Sequence, residues 1–355
     1  MKIHANSCLH NSAGENKMIR VRELRATRDT REATELPDMR ASAWDDLGPH
    51  DRVVFSDMDL WDHEGSRQWL HNIHKGELVR KNQLMIYNNV GFSARHRQTK
   101  WGCRGYNIPK LLVRDCDFTE ITQEHGLYMS NSSSVTVERS TFVRTGSQGL
   151  QFAHRPNPYQ QYDADCMPYD TAPLHTFEDC HFVDCGKGGT RPSFNLTMFD
   201  PGCSEYPATI RITDSSFVSN WSTAGPKNNF STGAFVFTPS QGGPDNDERT
   251  PIGAFAIKNC LFDFAAGDRP IGKIDGATTI HITDSCFIAR AHTQPFIDIN
   301  RKQPWKSSVL LKNCTSKGDV KLRIWDGDDV IARVGVDTGL GRSIYIEEDG
   351  SVFTR

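Results

Sequence analysis

An eight-residue pattern that recurs along most of the chain limits its fold more than any other feature. It is clearest at Leu111 to Phe118, Leu-Leu-Val-Arg-Asp-Cys-Asp-Phe. Later copies end at Phe142, Phe182, Phe217, Phe262 and Phe287, a degenerate one ends at Ser316, and two earlier ones end at Leu60 and Phe92. Two residues before each end lies a small or apolar side chain: Met58, Val90, Cys116, Ser140, Cys180, Ser215, Cys260, Ser285 or Cys314. One step further back stands Asp or Asn (Asp57, Asn89, Asp115, Asp179, Asp214, Asn259, Asp284, Asn313), with Arg139 the exception. Alternating apolar residues precede it, such as Val135 and Val137 or Ile280 and Ile282. The closest end points, Phe118 and Phe142, are 24 residues apart. A repeat this short is one supersecondary unit, which cannot bury its apolar face alone and must stack on its neighbours.

A second strand signal follows each octet, usually opening on Gly or Pro, at 102–106, 126–130, 149–153, 193–199, 233–237, 270–274, 295–299 and 320–324. The connectors carry no amphipathic helical pattern, which excludes βαβ units. Period-two alternation with a polar Asx corner predicts coils of parallel sheet. Asp and Asn tolerate the left-handed backbone region, so a column of them turns the chain at the same place in each copy. The phenylalanines behind that corner are expected to stack inside at the inter-strand spacing of about 4.8 Å. Cys116, Cys180, Cys260 and Cys314 then act as small hydrophobes, and no Cys-x-x-Cys spacing points to a metal. Cys166, Cys185 and Cys203 read as loop cysteines able to pair.

Over about residues 50 to 326 the repeat resembles the right-handed parallel β-helix families: pectate lyases, polygalacturonases, phage tailspikes and proteins with a generic β-helix repeat. The resemblance implies an all-β, single-stranded right-handed parallel β-helix, a solenoid of about nine coils. It is specific for fold and not for one activity. The expected organisation is a polar N-terminal arm or attachment segment at 1–45, the helix at 46–326 and a C-terminal β cap at 327–355. Asp349-Gly350 between alternating strands predicts an antiparallel hairpin in that cap. Residues 63–80 read as a short helix or an irregular rung over the first coil.

Charge and hydropathy remove other classes. With 41 basic against 44 acidic residues, a net charge of −3, and no Lys/Arg-rich run outside Arg20 to Arg31, nucleic acid is not an expected partner. No segment approaches the roughly 18 to 20 apolar residues of a membrane span, so membrane insertion is not expected either. The opening Met-Lys-Ile-His-Ala-Asn-Ser lacks the apolar stretch of a secretory signal, so secretion by the general route is not expected; a virion or a signal-less export route fits the same sequence, and the location is left open.

The repeated residues are consumed by core and corners, so function is expected in three inserts, at 154–175, 200–207 and 238–251. In register, these would emerge on one side and wall a groove. Candidate ligand-binding residues are Tyr128, Gln151 and Asn195 on the outer side of the second strands. His154, Arg155, Tyr159, Tyr162, Asp163, Asp165 and Tyr169 belong to the first insert. Aromatic faces beside hydrogen-bonding groups suit a sugar. No cofactor or metal is called for, with calcium the alternative reading of Asp163, Asp165 and Asp170.

An acid–base role is conceivable for His125 and His154 if they meet across adjacent coils. A glycosidase needs two carboxylates roughly 6.5 to 9.5 Å apart, and Asp200, Asp275, Asp298 and Asp326 lie near second-strand ends. The polygalacturonase set of Asn-Thr-Asp, Asp-Asp and Gly-His-Gly is missing; the sole His-Gly step is His125-Gly126. No residue is assigned as catalytic. Three readings survive. The preferred one is a non-catalytic β-helix, surface-displayed or virion-associated, with a groove for a polysaccharide or surface glycan. The others are a polysaccharide lyase or glycoside hydrolase, and a purely structural part of a virion or other assembly. The basic N-terminal segment and the C-terminal hairpin are the expected elements for homo-oligomer contact or docking to a larger assembly.

Overall fold

The computed structural model describes residues 18–22, 52–61, 84–93, 102–106, 110–121, 123–130, 132, 134–154, 174–186, 194–198, 208–220, 235–239, 253–264, 272–275, 278–289, 296–300, 308–324, 330–347 and 351–355. These residues form strands and turns with no helix; the segment 63–80 lies outside them. Among the described residues no helix is long and apolar enough to cross a membrane.

Pairing follows the repeat. One sheet of 19 strands contains the octets, and a second of 9 strands contains the second strand signals. In the first sheet each octet divides at its Asx residue into a longer and a shorter strand, as in Lys110–Arg114 and Asp117–Thr119. In the two earliest copies, Arg52–Trp61 and Leu84–Ser93, a single strand runs through the corner. Successive copies pair in parallel in the register that the alignment requires: Phe92 faces Phe118, Phe118 faces Phe142, and the series continues through Phe182, Phe217, Phe262 and Phe287. All eight second strand signals appear as parallel neighbours in the second sheet, from Cys103–Tyr106 to Lys321–Ile324. The backbone of Met18–Arg22, within the segment read as an arm, adds a parallel strand beside Arg52–Ser56.

The corners have the expected backbone. Asn89, Asp115, Asp179, Asp214, Asn259, Asp284 and Asn313 all have φ between 51° and 57°, and Arg139, the exception in sequence, sits there too at φ 44°. Asn259 Nδ2 donates to Asp214 Oδ1 at 2.6 Å, and Asn313 Nδ2 to Asp284 Oδ1 at 3.0 Å, so corner side chains also bond along the column. Arg139 compensates differently, with a two-point contact to Asp115 at 2.8 and 3.0 Å. The guanidinium holds the Asp115 carboxyl below its usual range.

A second left-handed column, which the alignment missed, occurs at Glu120, Arg144 and Asp184, each two residues after its phenylalanine. Arg144 and Glu120 form an ion pair there. Ile121, Thr145 and Cys185 follow it and are buried. Cys185 is therefore an interior residue and not a loop cysteine. Its thiol donates to the Phe142 carbonyl, 3.2 Å away, and it is unpaired with another cysteine. Cys166 and Cys203 lie outside the described residues.

Behind the corners the phenylalanines stack face to face. Centroid separations from Phe92 to Phe287 run 4.5, 4.7, 4.6, 4.8, 5.2 and 4.8 Å, with planes within 14°. The strand spacing sets this distance, so ring contact and backbone pairing are satisfied together. Gly102 and Gly126 admit the next element against this stack. A Cβ at Gly126 would lie 2.9 Å from Phe142 Cδ1 and 2.6 Å from the Gly149 carbonyl oxygen.

Beside the rings runs a buried column in which cysteine and serine alternate: Cys116, Ser140, Cys180, Ser215, Cys260, Ser285, Cys314. Each cysteine amide donates to the hydroxyl of the following serine, at 3.1 Å for Cys116, 3.0 Å for Cys180 and 3.1 Å for Cys260. The corner interrupts the regular ladder, and the serine supplies the acceptor that a buried amide needs. Each thiol reaches back to a carbonyl of an earlier copy, as Cys180 does to Val137 at 3.5 Å. Burial pushes the thiols up, to about 12 for Cys180 and about 11 for Cys260 and Cys314.

The C-terminal residues close this column antiparallel. Ser343–Ile346 pairs with Ser308–Lys312 and then with Val352–Thr354, the hairpin expected around Asp349-Gly350. The turn at 334–342, before Ser343, satisfies the last copy: Thr338 Oγ1 donates to the Cys314 carbonyl at 2.9 Å, and the Gly341 amide to Asn313 Oδ1 at 3.0 Å.

Phe182→Ala removes a ring held between Phe142 and Phe217, and is expected to lower stability by about 3 to 5 kcal/mol in equilibrium denaturation. Asp214→Ala is expected to cost about 1 to 2 kcal/mol more than Asp214→Gly. Both lose the contact to Asn259, so the difference isolates the left-handed backbone (φ 51°). Thiol labelling mapped by mass spectrometry is expected to leave Cys116, Cys180, Cys185, Cys260 and Cys314 unmodified at neutral pH, and to modify them only after denaturation.

Candidate functional site

The second sheet positions the candidate residues. Its register gives one row across adjacent strands: Arg104, Tyr128, Gln151, Asn195, Val236, Lys273, Asp298 and Arg323. Three sequence-predicted residues, Tyr128, Gln151 and Asn195, are thus consecutive backbone neighbours. His154 lies on the same strand as Gln151, opposite Met198. Arg155, Tyr159, Tyr162, Asp163, Asp165, Tyr169 and Asp170 lie outside the described residues.

Where the inserts attach is fixed by the strands that flank them. Leu150–His154, Phe194–Met198 and Phe235–Pro239 are adjacent and parallel. Residues 155–173, 199–207 and 240–252 follow these three strands before the next octet begins. Corresponding connections after Cys103–Tyr106, Leu127–Ser130 and Gly272–Asp275 are only 107–109, 131–133 and 276–277. Parallel strands point the same way, so the three long inserts leave the same end of three neighbouring strands.

Around Tyr128 the side chains form a packed polar cluster. The sequence places Tyr128 on the outer side of its strand, opposite in direction to Leu127 and Met129. Yet all three are buried, Tyr128 at 7% exposure, so the outer face is covered at this level and Tyr128 is not a solvated floor position. Its ring meets His125 edge-on, centroids 5.3 Å apart. His125 Nε2 is hydrogen-bonded to Gln151 Oε1. His125 Nδ1 lies 3.4 Å from Glu124 Oε2, whose side chain is 40% exposed. Glu124 and His125 thus join the two predicted residues, and the only sequence signal for them was the Glu-His step before a strand.

Hydrogen bonds between copies hold the histidine in place. The Ser147 amide donates to the Glu124 carbonyl at 2.8 Å, the Gly126 amide to the Gln148 carbonyl at 3.1 Å, and the Leu127 amide to the Gly149 carbonyl at 2.9 Å. His125 therefore lies opposite Gln148. His154 is six residues further along that copy, about 20 Å in extended chain. The two histidines do not meet, which removes the acid–base pair suggested by their places in sequence. The ring is oriented through Nε2 by Gln151, while Nδ1 stands at ion-pair distance from Glu124 without a hydrogen bond to it.

The carboxylates are arranged otherwise. Lys273 faces Asp298, and Asp275 faces Asn300, so Asp275 and Asp298 are diagonal neighbours on adjacent strands. Such diagonal positions are roughly 7–8 Å apart. Asp298 also faces Arg323 across the next strand. Asp200 and Asp326 lie outside the described residues. Among the described residues no group of three or more His, Cys, Asp or Glu side chains is placed to hold a metal ion. Compared with known proteins, the chain matches no family model, no curated protein and no solved structure.

Proposed function

We propose that the chain is a right-handed parallel β-helix that presents a glycan-binding groove, displayed on a virion or another surface, and that it binds without cleaving. The observation that carries this reading is the departure of the three long inserts from the same end of three adjacent parallel strands. Three inserts that follow the neighbouring strands of Gln151, Asn195 and Val236 would line an elongated site, which suits a linear polymer better than a compact ligand. The first insert carries Tyr159, Tyr162 and Tyr169 among acidic residues and Arg155, the composition that stacks sugar rings and bonds their hydroxyls. The Glu124–His125–Gln151 cluster serves as a rigid polar margin.

A second reading has one observation in its favour. Asp275 and Asp298 occupy diagonal backbone positions on adjacent strands, with Lys273 and Arg323 in the row of Asp298, and a pair of carboxylates is what an inverting glycoside hydrolase requires.

The full chain on an array of anionic and neutral glycans is expected to bind a polymeric sugar. Replacing Tyr159, Tyr162 and Tyr169 together by Ala is expected to weaken that binding by about tenfold or more, with thermal unfolding unchanged. No signal on the array would sink the groove reading. New reducing ends that vanish in Asp275→Asn and Asp298→Asn would establish the hydrolase instead, and absorbance from unsaturated uronate would indicate a lyase.

A further inference from the structure

The large apolar side chains left exposed among the described residues are concentrated at one end of the molecule. Val330, Val336, Leu340, Tyr345, Val352 and Phe353 all lie between residues 330 and 353, and Leu174 is the one elsewhere. Tyr345 and Phe353 are partners in the terminal hairpin and share one face, so they form an exposed apolar pair rather than scattered single residues.

The hairpin supplies the backbone for it. Ser343 and Arg355 exchange both hydrogen bonds, at 2.8 and 2.9 Å, and the Glu347 amide donates to the Ser351 carbonyl at 3.0 Å. Antiparallel alternation then sends the N–H and C=O groups of Val352 and Thr354 to the opposite edge. Among the described residues Val352–Thr354 pairs with one strand only, and Val352 and Phe353 are 39% and 48% exposed. The edge carries no lysine, proline or bulge of the sort that normally blocks strand addition.

We propose that two copies of this chain join edge to edge through Val352–Thr354, antiparallel about a twofold axis at Phe353. In this register Val352 of each copy faces Thr354 of the other, which satisfies both open pairs of backbone groups. Phe353 faces its twin in the close pairing and extends a row with Tyr345, its partner in the hairpin. Charge selects the second copy as the occupant. Arg355 comes opposite Ser351 of the other copy, with Glu347 of that copy one strand further on, about 10 Å away and within reach of the long arginine side chain, and the twofold axis makes this approach twice. Within one copy Glu347 and Arg355 lie at opposite ends of the hairpin, so the complementarity is met only between copies. The inference rests on this hairpin alone and is independent of the glycan reading.

Sedimentation velocity of the full chain across a concentration series tests it. The expected result is a reversible dimer of the 39.9 kDa chain. Thr354→Pro removes an outward N–H and none of the hairpin's own hydrogen bonds, and is expected to weaken the dimer by about tenfold or more. Glu347→Arg and Arg355→Glu are each expected to weaken it, and the double exchange to restore it. Circular dichroism and the thermal midpoint confirm that each variant is folded. A monomer at every concentration overturns the proposal in favour of a strand from another protein. A dimer indifferent to Thr354→Pro, or a charge exchange without rescue, overturns this edge as the contact.

Discussion

A single left-handed residue per octet is the constraint on which the rest depends. It turns the chain sharply enough to separate a longer strand from a shorter one, and it does so at the same register in copy after copy. Without that repetition the phenylalanines would not fall over one another at 4.5 to 5.2 Å, and neither would the small residues beside them. Asp and Asn reach this conformation cheaply because their short side chains bond locally. At Arg139 the same backbone is held with the help of Asp115 on the neighbouring copy.

The corner also creates a difficulty, since it breaks the ladder where the chain is buried. The alternation of cysteine and serine answers it. Each serine accepts the stranded amide of the preceding cysteine and donates to the carbonyl two residues before itself, at 2.7 to 2.8 Å. Each cysteine fills the equivalent space with a soft, weakly bonding group. The column ends at Thr338, whose hydroxyl donates to the Cys314 carbonyl in place of the backbone amide that the next copy supplies to Cys116, Cys180 and Cys260.

A core built this way leaves the repeated residues no freedom for chemistry. What varies lies at the ends of the second-sheet strands, where three long inserts depart together, and at the terminal hairpin, where apolar side chains are exposed and, among the described residues, one edge has no strand beside it.

The octet was enough to read the parallel register, the Asx corners and the phenylalanine stack, while the segments between octets, usually opening on Gly or Pro, gave the eight second-sheet strands and Asp349-Gly350 the C-terminal hairpin. Each is fixed by local sequence, through period-two alternation, left-handed tolerance and turn chemistry. Other features waited for the tertiary structure. The second corner at Glu120, Arg144 and Asp184 shares no residue type, so no pattern announced it, and Cys185 read as a loop residue in consequence. His125 proved to face Gln148 and bond Gln151, far from His154, because contacts across copies follow strand pairing and not distance along the chain. Tyr128 faces away from Leu127 and Met129 yet is buried, since alternation gives a side chain's direction but not what packs over it. The sequence by itself determined which residues repeat and point inward. Only the tertiary structure decided which residues meet across the repeats, because inserts of unequal length make sequence separation a poor guide to neighbours that stack in register.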